Sequence, residues 1–319
     1  MRIVFFGSSL FSVPTLLSLA ASDRHELVGV AAQPDRPSGR NRKVQTGIVH
    51  ETALNLGIPV ITPEKIGSPD ALAVISSWNP DAIVVASFGQ YIPGRVLVLP
   101  PKGVINVHPS LLPKYRGAAP MQWSIANGET TSGVTIFQVV KEMDAGDIII
   151  QEKHPVSPDD NAITLSERFS QIGAGLALKA LDLMETGKVT LMPQAHDQAT
   201  FAPKITKQDG LIDWRLPARA ISNRIRGFQP WPGGYFLHKG VAIKVWRTMV
   251  EPGAGEPGQI IEFGGAGPLI MTGEQAIRLL ELQPEGKKSM LGSAFLCGHK
   301  WVIGDILNAA VTSEGKDIV

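Results

Sequence analysis

The chain has 319 residues, 44% of them hydrophobic and 18% charged, and a formal net charge of +1. That length exceeds one small core and calls for two domains, and the composition excludes fibrous, low-complexity and disordered classes. A single cysteine, Cys297, excludes an internal disulfide framework and a multi-cysteine metal site. It sits between Leu296 and Gly298 with no oriented base nearby in sequence, and reads as a semi-buried thiol.

The first residues after Met1, Arg2-Ile3-Val4-Phe5-Phe6-Gly7, read as a buried strand, with no basic region and apolar run of a cleavable signal. The apolar stretches are too short to span a bilayer. A cytoplasmic protein without membrane contact is expected.

Residues 2–6, 27–32, 82–87 and 104–107 are continuous apolar runs, as strands buried on both faces require. Between them, 10–21, 44–56 and 67–78 have helical spacing. Strand and helix in alternation predict a doubly wound α/β domain. Residues 134–140 and 147–152 add two strands, and 162–186 reads as a long closing helix, with Thr164 and Glu167 as a capping box. The turn Gly7-Ser8-Ser9-Leu10-Phe11 lacks the spacing of the dinucleotide glycine fingerprint, and no Walker phosphate loop is present.

Beyond about residue 190 the character changes. A short helix is expected at 217–226, followed by β-like runs at 234–238, 241–249, 258–263, 268–271, 276–282 and 301–303, separated by Gly and Pro. Many short strands with turn signals suggest a small barrel or sandwich, so the chain divides near 205. Residues 201–250 carry nine Lys and Arg against Asp209 and Asp213, a local charge of +7 in a nearly neutral chain. Such polarisation suits a polyanion, although a merely solvated basic surface has the same composition.

The run 104–107 delivers Asn106 and His108 to a strand end, where open α/β sheets bind ligands. Alternation puts both on one face. A loop carrying Asp144 follows the run 134–140. An amide donor, an imidazole and a carboxylate without metal-ligand spacing suit direct acyl transfer to an amine. Asn106 would stabilise the tetrahedral oxyanion, His108 would bind it or take the amine proton, and Asp144 would orient His108. On pattern alone, a turn-forming Asn and a structural His remain open.

The stretch from Asn106 through Ser110-Leu111-Leu112-Pro113 to Arg116-Gly117-Ala118-Ala119-Pro120 resembles the folate-dependent formyltransferase family. Further segments carry the resemblance: 33–40, 201–205 and 225–233. Together they cover the chain to about residue 308. The resemblance implies a Rossmann-like doubly wound catalytic domain over 1–204, a small OB-like β-barrel domain over 205–310, and a tail at 311–319. It implies Asn106, His108 and Asp144 as catalytic residues and 10-formyltetrahydrofolate as co-substrate, without metal. Phe88, Gly89, Gln90, Ser110, Leu111, Leu112 and Pro113 would border the folate.

The implied acceptor is the α-amine of methionyl initiator tRNA, met by a monomer. A loop carrying Arg36, Arg40, Arg42 and Lys43 would reach the acceptor stem, and Lys204, Lys207, Arg224 and Arg226 would contact phosphates. The Pro230-Trp231-Pro232-Gly233 run reads as a structural turn rather than a base-stacking platform. Sugar-nucleotide N-formyl transfer, formylfolate hydrolysis and RNA binding without catalysis are the competing readings. Ser8 and Ser9 depart from the family's usual Gly-Thr-Pro-x-Phe turn.

Overall fold

The computed structural model describes residues 1–38 and 43–307. Contacts group the chain into two compact units. The first comprises Met1–Met121, Thr131–Pro155 and Thr164–Pro203; the second comprises Gln122–Thr130, Val156–Ile163 and the chain from Lys204 onward.

The first unit begins with β1 (Arg2–Gly7), α1 (Val13–Ala20) and β2 (Glu26–Ala31). A hairpin of β3 (Arg36–Ser38) and β4 (Lys43–Gln45) follows, then α2 (Ile48–Asn55), β5 (Val60–Ile61), α3 (Pro69–Ser77) and β6 (Ala82–Ala86). Next come α4 (Gly94–Leu97), β7 (Val104–His108) and the short β8 (Arg116–Gly117). After α5 (Pro120–Ala126) the chain forms β9 (Thr131–Gln138), β10 (Ile148–Pro155), α6 (Ala162–Glu185) and β11 (Phe201–Ala202), which pairs with β8.

Seven strands form one sheet in the order β10-β9-β7-β6-β1-β2-β5. Pairing from β5 to β7 is parallel, and β9 and β10 are antiparallel, so the unit is mixed α/β with a mostly parallel sheet. The apolar runs explain the parallel part: Ile3 to Phe6 and Ala82 to Val84 have no exposed surface, as strands covered on both faces require. The chain runs outward from β1 to β2 and β5, then returns to β6 on the other side of β1. That reversal is the switch point beside which such sheets bind ligands.

Three expectations are corrected. The helix expected over 44–56 begins only at Ile48, because Lys43–Gln45 is claimed by the hairpin. The two later strands form over 131–138 and 148–155, and they run antiparallel. Thr164 does not start the long helix; α6 begins at Ala162, and Asn161 Oδ1 accepts the Ile163 N–H at 2.9 Å as the cap.

The second unit is built on α7 (Ala218–Gly227) and an antiparallel sheet of β12 (Gly234–His238), β13 (Val241–Glu251), β14 (Ile260–Gly264), β15 (Gly267–Met271), β16 (Ala276–Pro284) and β17 (Met290–Leu291). Ala218, Ile221 and Ile225 line one face of α7 and join Trp214, Phe236, Leu279 and Phe295 in the core. Residues 122–130 and 156–163 belong here for visible reasons. Trp123 packs edge-on against Phe228 with ring centroids 5.2 Å apart, and Arg226 Nη1 donates to the Asp160 carbonyl.

Arg278 is buried and bonds Glu251 through Nε at 2.6 Å and Nη2 at 2.7 Å, Glu262 at 2.9 Å and the Gly267 carbonyl at 2.9 Å. The run 301–303 is not a strand: Trp301 is buried against Phe236 and Phe295 in an irregular segment. Cys297 lies on α8 (Gly292–Gly298) and is exposed rather than semi-buried. Among the described residues, no helix is long and apolar enough to cross a membrane.

Candidate active site

β7 carries Asn106 and His108 to the carboxyl end of the parallel strands, Asn106 half-buried and His108 3% exposed. His108 Nε2 lies 3.0 Å from the Tyr115 carbonyl oxygen. A carbonyl only accepts, so Nε2 carries the hydrogen of that bond and Nδ1 is the ring nitrogen on the Asp144 side. Nδ1 stands 3.7 Å from Asp144 Oδ2, and that oxygen also accepts the Gly117 N–H at 2.8 Å. Gly117 has φ +122, and a Cβ there would meet the Ala202 carbonyl oxygen at 2.7 Å, so only glycine presents its N–H this way. Phe137 packs edge-on to His108 at 6.1 Å. Asn106 Oδ1 is buried without a hydrogen-bond partner among the described groups.

The Ser110–Pro113 turn is held from inside. Thr135 donates its hydroxyl to the Ser110 carbonyl at 2.6 Å and accepts from Leu112 N at 3.3 Å and Gln151 Nε2 at 2.9 Å. Gln151 Nε2 also donates to the Leu112 carbonyl, and Ser110 Oγ donates to the Lys114 carbonyl. Leu112 is buried with Phe137 and Ile148, while Leu111 and Pro113 are half-buried.

The other residues expected at the folate have internal duties. Phe88 packs its ring on Phe6 at 5.1 Å, and Gln90 bonds Ile66 N and the Pro63 carbonyl. Gly89 lies between them. The Phe88 carbonyl accepts from Ser8 Oγ at 3.0 Å and Gln33 Nε2 at 3.1 Å, and Ser9 Oγ donates to Ser87 Oγ at 2.8 Å. Ser8 and Ser9 thus tie the turn after β1 to the turn after β6, across the switch point.

A cleft of about 420 Å³ opens nearby, lined by Ser8, Gln33, Asp35, Thr46 and His50 among others. The Gly47 N–H bond, aided by His50, holds the Asp35 carboxyl below the ordinary carboxylate range. Asp35 and Gly47 flank the β3–β4 hairpin, so this bond closes the base of the basic loop. On that loop Arg36 is exposed and paired with Glu64 at 2.6 Å, and Lys43 lies on β4. Arg40 and Arg42 lie outside the described residues.

The second unit's basic residues fall into two groups. Lys204, Lys207 and Arg219 are exposed. Arg224 donates to the Asp209 carbonyl and covers the Phe228 ring at 5.1 Å. Burial pushes the Arg226 guanidinium down, and it bonds Asn223 Oδ1 as well as the Asp160 carbonyl. Trp231, in the turn leading to β12, is 58% exposed.

Thr135, Gln151 and Gln194 had no signal in the sequence, and Tyr115 and Arg116 lie in the 106–120 stretch without a role assigned to them there. The partners of the Thr135, Gln151, Gln194 and Arg116 side chains and of the Tyr115 carbonyl lie 7 to 80 residues away along the chain, so only the fold assembles them. Among the described residues, His25, Asp182 and Glu185 are close enough to share a cation. Arg24 already bridges their carboxylates at 2.7 and 3.0 Å.

The sheet is mostly parallel and the carboxyl end of β7 gathers Asn106, His108 and Asp144; the chain belongs to the formyl transferase family. The family's amino-terminal domain, Formyl transferase, matches residues 1–181, and Formyl transferase, C-terminal domain, matches 204–300. The chain is 43% identical over 307 residues to the methionyl-tRNA formyltransferase of Trichlorobacter lovleyi, covering 96% of each protein. It is 39% identical over 314 residues to that of Geobacter sulfurreducens, covering 98% of this chain and 99% of the relative.

Among solved structures, the fold is similar to the N-formyltransferase of Helicobacter canadensis bound to folinic acid and dTDP-3-aminofucose. The TM-score is 0.64 at 18% identity, over 88% of this chain and 98% of that one. It is also similar to HypX of Aquifex aeolicus in complex with tetrahydrofolic acid, with a TM-score of 0.61 at 21% identity, over 93% of this chain and 47% of that one.

Proposed function

We propose that this enzyme transfers the formyl group of 10-formyltetrahydrofolate to the α-amino group of methionyl initiator tRNA, in support of translation initiation in the cytoplasm. The observation that carries this reading is the roughly 40% identity to methionyl-tRNA formyltransferases over nearly the whole of both chains. It includes the second unit and the basic hairpin, which catalysis on folate alone would not require.

In this reading Asn106, His108 and Asp144 form the catalytic group. The acceptor amine attacks the formyl carbon, a C–N bond forms, and the carbonyl oxygen becomes an oxyanion. Asn106 donates its amide N–H to that oxygen; such a donor is worth about 10²–10³ in turnover. His108 Nδ1 takes the proton that the attacking nitrogen loses, and the same proton goes to folate N10 as the N10–C bond breaks. Asp144 stabilises the imidazolium between the two transfers, while the Tyr115 carbonyl keeps the other ring nitrogen occupied. The products are N-formylmethionyl-tRNA and tetrahydrofolate, without a covalent intermediate or a metal.

The Ser110–Pro113 turn and the Phe88–Gln90 loop border the folate. Within 1–204 the seven-stranded unit is the Rossmann-like catalytic domain, and the antiparallel sheet of the unit that follows, in the 205–310 region, is an OB-like barrel that meets the tRNA. Lys204 and Lys207 make phosphate contacts, as do Arg36, Arg40, Arg42 and Lys43 on the hairpin and Arg224 and Arg226 through what their internal bonds leave free. The enzyme acts as a monomer.

The test is an acceptor assay with 10-formyltetrahydrofolate and either methionyl initiator tRNA or an amino-sugar nucleotide. Formyl transfer to the tRNA is expected. Transfer to the sugar nucleotide with none to the tRNA would overturn the reading, as would formylfolate hydrolysis alone.

A further inference from the structure

Asp144 reaches His108 by an indirect route. β9 runs antiparallel to β7, with His108 opposite Thr135 and Ile105 opposite Gln138, and Val139 N donates to the Val104 carbonyl at 2.7 Å. The chain therefore leaves β9 beside the amino end of β7, roughly 13 Å along the strand from His108. The 139–147 loop must return to bring Asp144 within 3.7 Å of the imidazole. Asp144 itself sits at φ +50, in the left-handed region, a backbone conformation that its surroundings must hold.

What holds it is Gln194, which is 5% exposed. Its Nε2 donates to the Asp144 carbonyl at 2.9 Å and to the Gly146 carbonyl at 2.6 Å. Its Oε1 accepts from Arg116 Nε at 3.2 Å and Nη2 at 2.6 Å. Both hydrogens and both lone pairs of the amide are spent, and they join three separate segments of the chain. A buried guanidinium on the oxygen strengthens the opposite N–H donors by polarising the amide. Arg116 is itself fixed: Nη2 bonds His196 Nδ1 at 3.0 Å, and its backbone N–H bonds the Thr200 carbonyl. It is also flanked by the two backbone groups that the site uses, the Tyr115 carbonyl on His108 and the Gly117 N–H on Asp144.

We propose that Gln194, locked by Arg116, is a positioning residue that fixes the Asp144 carboxylate against His108 for formyl transfer. This rests on the reading of Asp144 given above. Gln194→Met keeps the shape of the side chain and removes its donors and acceptor. Gln194→Glu keeps an acceptor for Arg116 and turns a second oxygen toward the two carbonyls.

Both variants should lower kcat about 10- to 100-fold, the effect of displacing a catalytic group by about 1 Å. KM for 10-formyltetrahydrofolate should stay within about two-fold, and both variants should still unfold in a single cooperative transition. The deciding measurement is a double-mutant cycle with Asp144→Asn, in which Gln194→Met should cost nothing further. Additive losses, or an unchanged kcat in both Gln194 variants, would overturn the proposal alone. An Asp144→Asn protein with unimpaired kcat would overturn the role of Asp144 and this proposal with it.

Discussion

Thr135→Val is the sharpest probe of how the fold shapes the turn beside His108. The side chain is fully buried, and valine matches its shape while removing the hydroxyl. The Ser110 carbonyl would lose a 2.6 Å bond and stay buried without a donor, a cost of about 1–3 kcal/mol. Leu112 N would lose a longer, weaker bond, about 0.5–1 kcal/mol, while Gln151 would keep the Leu112 carbonyl. The added methyl returns about 0.8 kcal/mol. The net loss is about 1–3 kcal/mol, which in a unit of this size lowers Tm by about 3–10 °C.

Thr135→Ser is the control. It keeps all three bonds and forfeits one methyl, at about 1 kcal/mol. Differential scanning calorimetry and steady-state kinetics should therefore rank valine below serine. The KM for 10-formyltetrahydrofolate should rise with valine and hold with serine, because the loosened segment is the Ser110–Pro113 turn. Valine equal to or better than serine in Tm, with folate KM unchanged, would refute the account of that turn.

Asn106→Ala should lower kcat by about 10²–10³ while leaving Tm equal or higher, because the Oδ1 it removes is buried without a partner; a kcat within a few-fold of the unsubstituted enzyme would exclude the oxyanion role. Glu251 is held below its ordinary value of 4.5 chiefly by its hydrogen bond to Arg278. Its contribution is therefore fully present above about pH 4.5 and disappears as pH falls through the depressed value. Glu251→Gln should lower Tm at pH 7, and the gap should close on acidification; a gap constant with pH would contradict the linkage. Lys204→Gln with Lys207→Gln should weaken tRNA binding and flatten its salt dependence by about one phosphate per residue. Arg226→Gln should instead lower Tm, since its guanidinium bonds the Asp160 carbonyl and Asn223.

The parallel strands were legible because each is a short run buried on both faces, and Ile3 to Phe6 or Ala82 to Val84 have no alternative reading as amphipathic elements. The pairing of Arg36–Ser38 with Lys43–Gln45 was not, because the first of these reads as loop, the second runs into the helical spacing that starts at 44, and the match of Arg36 with Gln45 depends on a register that no local pattern encodes. Arg224 and Arg226 show the limit of charge counting. Both add to the basic total of 201–250, yet each spends hydrogen bonds on carbonyls of its own unit. A sum over sequence cannot separate a cation that meets solvent from one that closes a fold.

His108 and Asp144 fall on the two sides of that limit. His108 is placed by local rules, since a strand end and its alternation fix where position 108 points. Asp144 is placed by the antiparallel turn of β9, and the orientation of β9 follows from its pairing with β7 rather than from its own residues. The carboxylate then needs groups that a strand end does not supply: the Gly117 N–H on its side chain and Gln194 on its backbone. A motif can name the three proposed catalytic groups, but the backbone that carries Asp144 to 3.7 Å from His108 is bonded by Gln194, and Gln194 by Arg116. A change at Gln194, which lies outside the 106–120 stretch, should then move kcat with Asn106, His108 and Asp144 all unchanged.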